Sequence, residues 1–144
     1  MDIINKGIRK CREFLTIQLI RKTNPGISRK VFFQEPSRIV LGRNCKVGKE
    51  SYILCWKEYM YGKNTQALNS KLIIGDNFSA TRRLTIQCCN LIIIGKNVLI
   101  ASDVFICDYN HSIENPNGNY VNNKLELGEV VISDGVWIGQ GVYC

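Results

Sequence analysis

The sequence predicts an all-β chain: a solenoid of short strands behind one N-terminal helix, broken by one long projecting loop. Three observations lead there. Isoleucines recur at six-residue spacing at Ile94, Ile100 and Ile106, and the frame resumes at Ile132 and Ile138. A small residue follows each of them (Gly95, Ala101, Cys107, Ser133, Gly139), and valine takes the fifth position at Val98, Val104, Val136 and Val142. A period of six fits neither a helix nor a hairpin meander. It fits repeats in which each strand covers one flat face and a tight corner follows. The aliphatic residue then fills the interior, and the small one lets the backbone turn.

Residues 2–22 read as a helix. Ile4, Ile8, Cys11, Leu15 and Leu19 approximate one apolar stripe, with Lys6, Arg9, Lys10, Arg12 and Arg21 largely elsewhere. Such a helix can pack across the end of the solenoid as a cap, which repeat proteins generally need. It can also make a peripheral contact with anionic lipid through residues 2–22. The cap is the expectation here, and the two are compatible. Phe14 to Ile20 is apolar behind a basic start, but Thr16 and Gln18 interrupt it and no A-x-A cleavage site follows. A cytoplasmic N-terminus is therefore expected rather than a signal peptide. Asn24-Pro25-Gly26 ends the helix in a turn. The chain divides into a basic helix or cap over residues 1–30 and a repeat domain over 31–144.

The frame begins weakly at Leu41-Gly42 and runs through Val47-Gly48 to Ile53. It fails from Leu54 to Lys71, where Trp56, Tyr59, Met60 and Tyr61 suggest an excursion that packs on a neighbour. Ile74-Gly75, Ala80-Thr81 and Ile86 restart it. Ile86 to Ile94 is a step of eight, so two residues are inserted at a corner around Cys88-Cys89-Asn90. After Ile106 the frame is lost until Ile132. Residues 112–129, rich in Asn and containing Pro116 and Gly118, read as a long loop of the kind that is commonly functional. His111, the only histidine, stands where the rhythm breaks. At Cys144 open strand edges are expected, which a partner covers unless the chain is a fragment of something longer.

At 144 residues the chain is expected to be a single domain, and 45% apolar against 22% charged residues does not suggest disorder. No apolar run approaches the ~18 residues of a membrane-spanning helix. The net charge of +7 is concentrated at the start: residues 1–30 hold eight Lys/Arg against two acids, and the rest eleven against ten. A nearly neutral repeat body argues against nucleic acid as a partner. The seven cysteines include no C-x-x-C pair, and one histidine cannot complete the usual mixed zinc sets, so no metal is expected. Buried thiols in a reducing cytosol are the plain reading.

Three blocks then carry a resemblance: Ile94-Gly95-Lys96-Asn97-Val98-Leu99-Ile100-Ala101; Asp108-Tyr109-Asn110-His111 with the loop after it; and Val136-Trp137-Ile138-Gly139-Gln140-Gly141-Val142. Over residues 39–144 the chain resembles the hexapeptide-repeat sugar O-acetyltransferases, galactoside and maltose acetyltransferase-like, with its nearest look to the surface-polysaccharide branch. The resemblance implies a left-handed parallel β-helix, against the usual right-handed crossover rule. It also implies a homotrimer with active sites in the clefts between neighbours. It implies acetyl-CoA as co-substrate, a sugar hydroxyl of a surface polysaccharide or its precursor as acceptor, and direct transfer without an acyl-enzyme.

On the same resemblance His111 matches the catalytic histidine, and an imidazole titrating near neutrality suits proton removal from a hydroxyl. Either Asp108 or Glu114 could orient its ring. The backbone N–H at Gln140 matches the oxyanion donor, a role that tolerates any residue except proline. Trp137 and Gly139 fall on the coenzyme side, Trp137 matching a tryptophan beside the pantetheine arm, with plain outer-face packing as the alternative. Thr81, Arg83 and Asn110 fall on the acceptor side. Thr81 stands where the galactoside enzyme has a sugar-binding asparagine, and Arg82 with Arg83 would suit an acidic sugar or a phosphate-linked carrier; a solvated pair is the other reading. Cys107 occupies a small-residue turn position and is not expected to act as a nucleophile. The family's further C-terminal turns, which contact the coenzyme, have no counterpart in these residues, which leaves the activity of the 144-residue form open. A non-catalytic or truncated hexapeptide scaffold is therefore the competing reading. A zinc carbonic anhydrase of similar shape needs three histidines per site and fails on count.

Overall fold

The computed structural model describes residues 2–113 and 120–144. The chain is mostly β, with parallel sheets and one N-terminal helix. After the helix (Asp2–Thr23) it visits three parallel sheets in rotation. The first sheet takes Gly26–Ile27, Lys46–Val47, Ser79–Ala80, Leu99–Ile100 and Trp137–Ile138. The second takes Val31–Gln34, Ser51–Cys55, Thr85–Cys88 and Phe105–Cys107, with Tyr143 bridging Phe105 beyond them. The third takes Ile39–Leu41, Lys71–Ile74, Leu91–Ile94 and Glu129–Ile132. Each circuit of the chain adds one strand to each sheet, an arrangement compatible with the expected β-helix.

The six-residue frame sets the register. Val47, Ala80, Ile100 and Ile138 align across the first sheet, and Phe33, Ile53, Ile86 and Ile106 across the second. Leu41, Ile74, Ile94 and Ile132 align across the third. These inward ladders form one continuous core, with Ile53, Ile86, Ile100 and Ile106 fully buried. Because side chains alternate along a strand, the neighbours of each ladder point outward. On the third sheet the outward row is aliphatic as well: Val40, Ile73, Ile93 and Val131. On the second it is mainly aromatic: Phe32, Tyr52, Thr85 and Phe105.

The corners use two devices. The small residue admits the next circuit at close range: a Cβ on Gly75 would lie 2.8 Å from the backbone of Gly95. Two residues later the backbone swings into the left-handed region at Asn44, Asn77 and Asn97, with φ of 58°, 58° and 56°. Asparagine tolerates that region better than most residues because its short polar side chain bonds locally. Here the side chains also bond one another, Asn44 Nδ2 to Asn77 Oδ1 at 2.9 Å and Asn77 Nδ2 to Asn97 Oδ1 at 3.0 Å.

Two features differ from the sequence reading. The first circuit begins at Gly26–Ile27, ahead of the weak start at Leu41, with Ile27 and Phe33 in the core. Phe33 to Leu41 is a step of eight, like Ile86 to Ile94, and both steps cross from the second sheet to the third. The helix also uses another face than the expected cap would. Its last turns hold the body through half-buried Ile17 and buried Ile20, while Arg21 donates to the carbonyls of Arg29 and Val31 at 3.2 Å each. Asn24 is buried just after it and accepts the backbone N–H of Cys45 at 2.8 Å. The predicted stripe points away: Ile8, Leu15 and Leu19 are 62%, 61% and 61% exposed. Among the described residues no helix is long and apolar enough to cross a membrane.

Candidate active site

Both interruptions of the frame leave from the same corner, between the second sheet and the third. The earlier one folds into a hairpin, Glu58–Tyr61 against Asn64–Ala67, around Gly62 at φ 54°. The later one also pairs antiparallel, Tyr109–His111 against Leu125–Leu127, with His111 opposite Leu125. The loop expected over residues 112–129 is therefore partly strand, and Glu129 already belongs to the third sheet. Hydrophobic alternation in Leu125-Glu126-Leu127 favours the pairing, with Leu125 buried.

The two hairpins pack on each other around a second small core of Leu68, Cys89 and Leu125, flanked by Trp56, Tyr59 and Tyr109. Gln66 joins them: its Nε2 donates to the Leu125 carbonyl at 3.1 Å, and its Oε1 accepts the Leu125 N–H at 2.8 Å. His111 lies at this junction. Its Nδ1 is 3.4 Å from the Tyr59 hydroxyl, and the Tyr59 ring meets it edge-on with centroids 5.8 Å apart. Tyr109 stands edge-on from another side at 6.5 Å and donates its own hydroxyl to Gln87 Oε1. Burial raises the Tyr109 hydroxyl to about 12, so it remains a donor at ordinary pH. Asn110 accepts the His111 backbone N–H on its Oδ1 at 2.9 Å.

Asp108 does not orient the histidine. It stands at the bend ahead of the Tyr109–His111 strand and turns into the body. It is 3% exposed, and its carboxylate accepts the backbone N–H groups of Cys89 at 2.7 Å and Asn90 at 2.8 Å. It thus fastens the insertion to the corner where two extra residues enter. Removing it strands those donors, at about 1–3 kcal/mol for a buried group. Asp108→Ala should cost about 3 kcal/mol in urea unfolding; a loss below about 1 kcal/mol would contradict this role. The other suggested partner, Glu114, lies outside the described residues.

The remaining expected site residues sit at a different corner, between the first sheet and the second. Gln140 is exposed there, its Nε2 3.5 Å from Asp103 Oδ2, and its backbone N–H meets no acceptor among the described residues. Thr81 Oγ1 lies 2.9 Å from Ser102 Oγ. Arg83 forms a two-pronged ion pair with Asp103, and the Arg83 hydrogen bond holds that carboxyl below its ordinary range. Trp137 stands on the outer face of the first sheet, 71% exposed, with Gly139 following it. Between the corners runs Phe105–Cys107, about 10 Å of strand. One chain therefore brings His111, Asn110, Tyr59 and Tyr109 together but does not bring Gln140, Trp137, Thr81 or Arg83 to them.

Two cavities on the sheet body lie near the site without His111 in their lining among the described residues. One of about 610 Å³ lies along the third sheet by Arg38, Ser70 and Lys71. Another of about 330 Å³ is lined by Asp108, Asn110, Glu126 and Glu129 beside the histidine hairpin. All seven cysteines are free. Cys88 is raised by its hydrogen bond with Cys55 and by burial, and Cys89 is pushed up to about 12 mainly by burial, so both stay protonated thiols. Among the described residues no group of three or more His, Cys, Asp or Glu side chains is placed to hold a metal.

A mostly parallel-sheet chain with its sole histidine on an inserted hairpin is the class these features define. No protein-family model matches the chain, and no solved structure matches it. It is similar to WbbJ of Escherichia coli (strain K12), a protein named for O-acetyl transfer in lipopolysaccharide biosynthesis. The two are 30% identical over 120 aligned residues, which take in 72% of this chain and 61% of WbbJ. The chain thus spans less than two thirds of that relative's length.

Proposed function

We propose that this chain moves an acetyl group from acetyl-CoA to a sugar hydroxyl of a surface polysaccharide or its precursor, with His111 as general base. The observation that carries the reading is the placement of the single histidine: exposed, on a paired strand, its ring set between two tyrosines. The similarity to WbbJ supports the reaction class. In this mechanism the imidazole takes the hydroxyl proton as the sugar oxygen attacks the thioester carbon. The Gln140 backbone N–H stabilises the oxyanion, and the coenzyme thiolate leaves with the proton from His111. Trp137 and Gly139 border the pantetheine arm. Thr81, Arg83 and Asn110 face the acceptor, Arg83 from its ion pair with Asp103. No protein thiol takes part.

We take the three-sheet rotation to be a left-handed parallel β-helix that works as a homotrimer in the cytoplasm. Two features support assembly. The outward aliphatic row Val40, Ile73, Ile93 and Val131 leaves Val40 54% and Val131 65% exposed, a surface suited to another protein. Also, the His111 and Gln140 corners lie apart in one chain, so a neighbouring copy is the way to join them.

The outward stripe of the helix, amid the excess positive charge of residues 1–30, suits a peripheral contact with anionic lipid. Replacing Leu15 and Leu19 together by Glu should weaken co-sedimentation with anionic vesicles by at least about tenfold, since each leucine loses up to about 2 kcal/mol of burial. Unchanged sedimentation would remove the lipid contact. The central test is release of free coenzyme thiol from acetyl-CoA in the presence of candidate sugars. The unmodified chain should release it with an acceptor of this class. No release with any acceptor, from an assembled protein, favours the scaffold reading.

A further inference from the structure

We infer that Tyr59 is a positioning residue for His111, accepting the Nδ1–H of the imidazole and thereby leaving Nε2 unprotonated and free to act. The inference rests on the reading of His111 as the base. A histidine base needs its second nitrogen held in one tautomer, and a carboxylate or carbonyl commonly does this. Here Asp108, one of the two carboxylates suggested by the sequence, is spent on the backbone of Cys89 and Asn90, and the other, Glu114, lies outside the described residues. The atom that does meet Nδ1 is the Tyr59 hydroxyl at 3.4 Å. A phenol oxygen can accept as well as donate. As an acceptor it also suits the imidazolium formed when the sugar proton is taken, without placing a second charge at the site.

Tyr59 is well held for the task. It belongs to the earlier hairpin, stacks on Tyr61 at 6.4 Å with the rings 6° from parallel, and packs against the Leu68–Cys89–Leu125 core. Gln66 sits opposite Tyr59 in the same hairpin and binds both backbone groups of Leu125, the residue opposite His111 in the other. The amide clamp therefore fixes the spacing between the two strands on which the phenol and the imidazole stand. The first interruption of the strand frame is accordingly part of the site made by the second.

The single histidine makes a direct test possible. In the full chain labelled with ¹⁵N, long-range proton–nitrogen correlation reports only one imidazole. At a pH high enough to leave that ring neutral, Nδ1 should read as the protonated nitrogen and Nε2 as the unprotonated one. Tyr59→Phe keeps the ring and removes the acceptor. Its two nitrogen shifts should converge as the tautomer ratio falls about fivefold, the scale of one net hydrogen bond. Tyr61→Phe should leave the spectrum in place. An unprotonated Nδ1 in the unmodified chain overturns the inference by itself, even if the Tyr59 variant fails to fold. An unmoved Tyr59→Phe spectrum, or an equal response to Tyr61→Phe, does the same. Thiol release separates this from the underlying reading: activity retained in His111→Gln would remove the base, whatever the tautomer data show.

Discussion

His111→Ala should lower acetyl-CoA-dependent thiol release by about 10²–10⁴-fold, the range over which a positioned general base contributes. The loss should fall on kcat, because the ring acts on the proton in flight rather than on the resting substrates. The fold should survive. His111 is exposed at the edge of a two-stranded hairpin, and its contacts are the Tyr59 hydroxyl and two edge-on rings. The urea midpoint of the variant should accordingly stay close to that of the unmodified chain. A variant that folds normally and turns over at the original rate would end the enzymatic mechanism. The parallel-sheet architecture would be untouched by that result.

The second large effect concerns stability. Gly48→Ala should destabilise the chain by about 3 kcal/mol or more, the upper end of overpacking costs. A Cβ built there would lie 1.3 Å from the carbonyl oxygen of Thr81 and 2.4 Å from its carbonyl carbon. Those are backbone atoms of the next circuit and cannot rotate aside. The Gly48 N–H donates to Ala80 O at 2.9 Å, so moving apart also stretches the parallel ladder. Gly139 occupies the equivalent position in the frame, with nothing among the described residues within 4 Å of an added methyl group. Gly139→Ala should stay within about 0.5 kcal/mol. Equal effects at the two positions would show that close approach between circuits is not what selects the small residue.

Much of the body was legible because one period governs it. Ile94, Ile100, Ile106, Ile132 and Ile138 all lie on the inward ladders, and the helix ends within a residue of its expected limit. The first circuit was missed because its corner, Glu35 to Arg38, is a short 3-10 turn starting from Pro36 rather than a repeat unit. Its inward residues, Ile27 and Phe33, are correctly spaced, but the step of eight to Leu41 hides them until the same step is recognised at Ile86. The neighbours of His111 were harder to see. The sequence left Asp108 and Glu114 both open as partners of the ring, whereas strand alternation places Tyr109 beside it and the bend at Asp108 turns that carboxylate inward to Cys89 and Asn90. Tyr59 lies 52 residues earlier, and no local pattern reports which corner an interruption leaves from. That information is in the register. Only when the circuits are stacked do the two gaps in the frame fall on one edge.

The Asn44–Asn77–Asn97 stack has a consequence for how this protein tolerates change in length. Those three amides run up one edge and tie consecutive turns together at fixed height. Adding or losing a single residue there would break the chain of amides and flip the following strands inside out, exposing the aliphatic rows to water. The edge carrying Tyr59 and His111 is tied instead by Asp108 and Gln66, without an asparagine stack among the described residues, and already absorbs segments of unequal size. New loops with new specificities should therefore be graftable on that edge alone, the other two serving as a fixed spine.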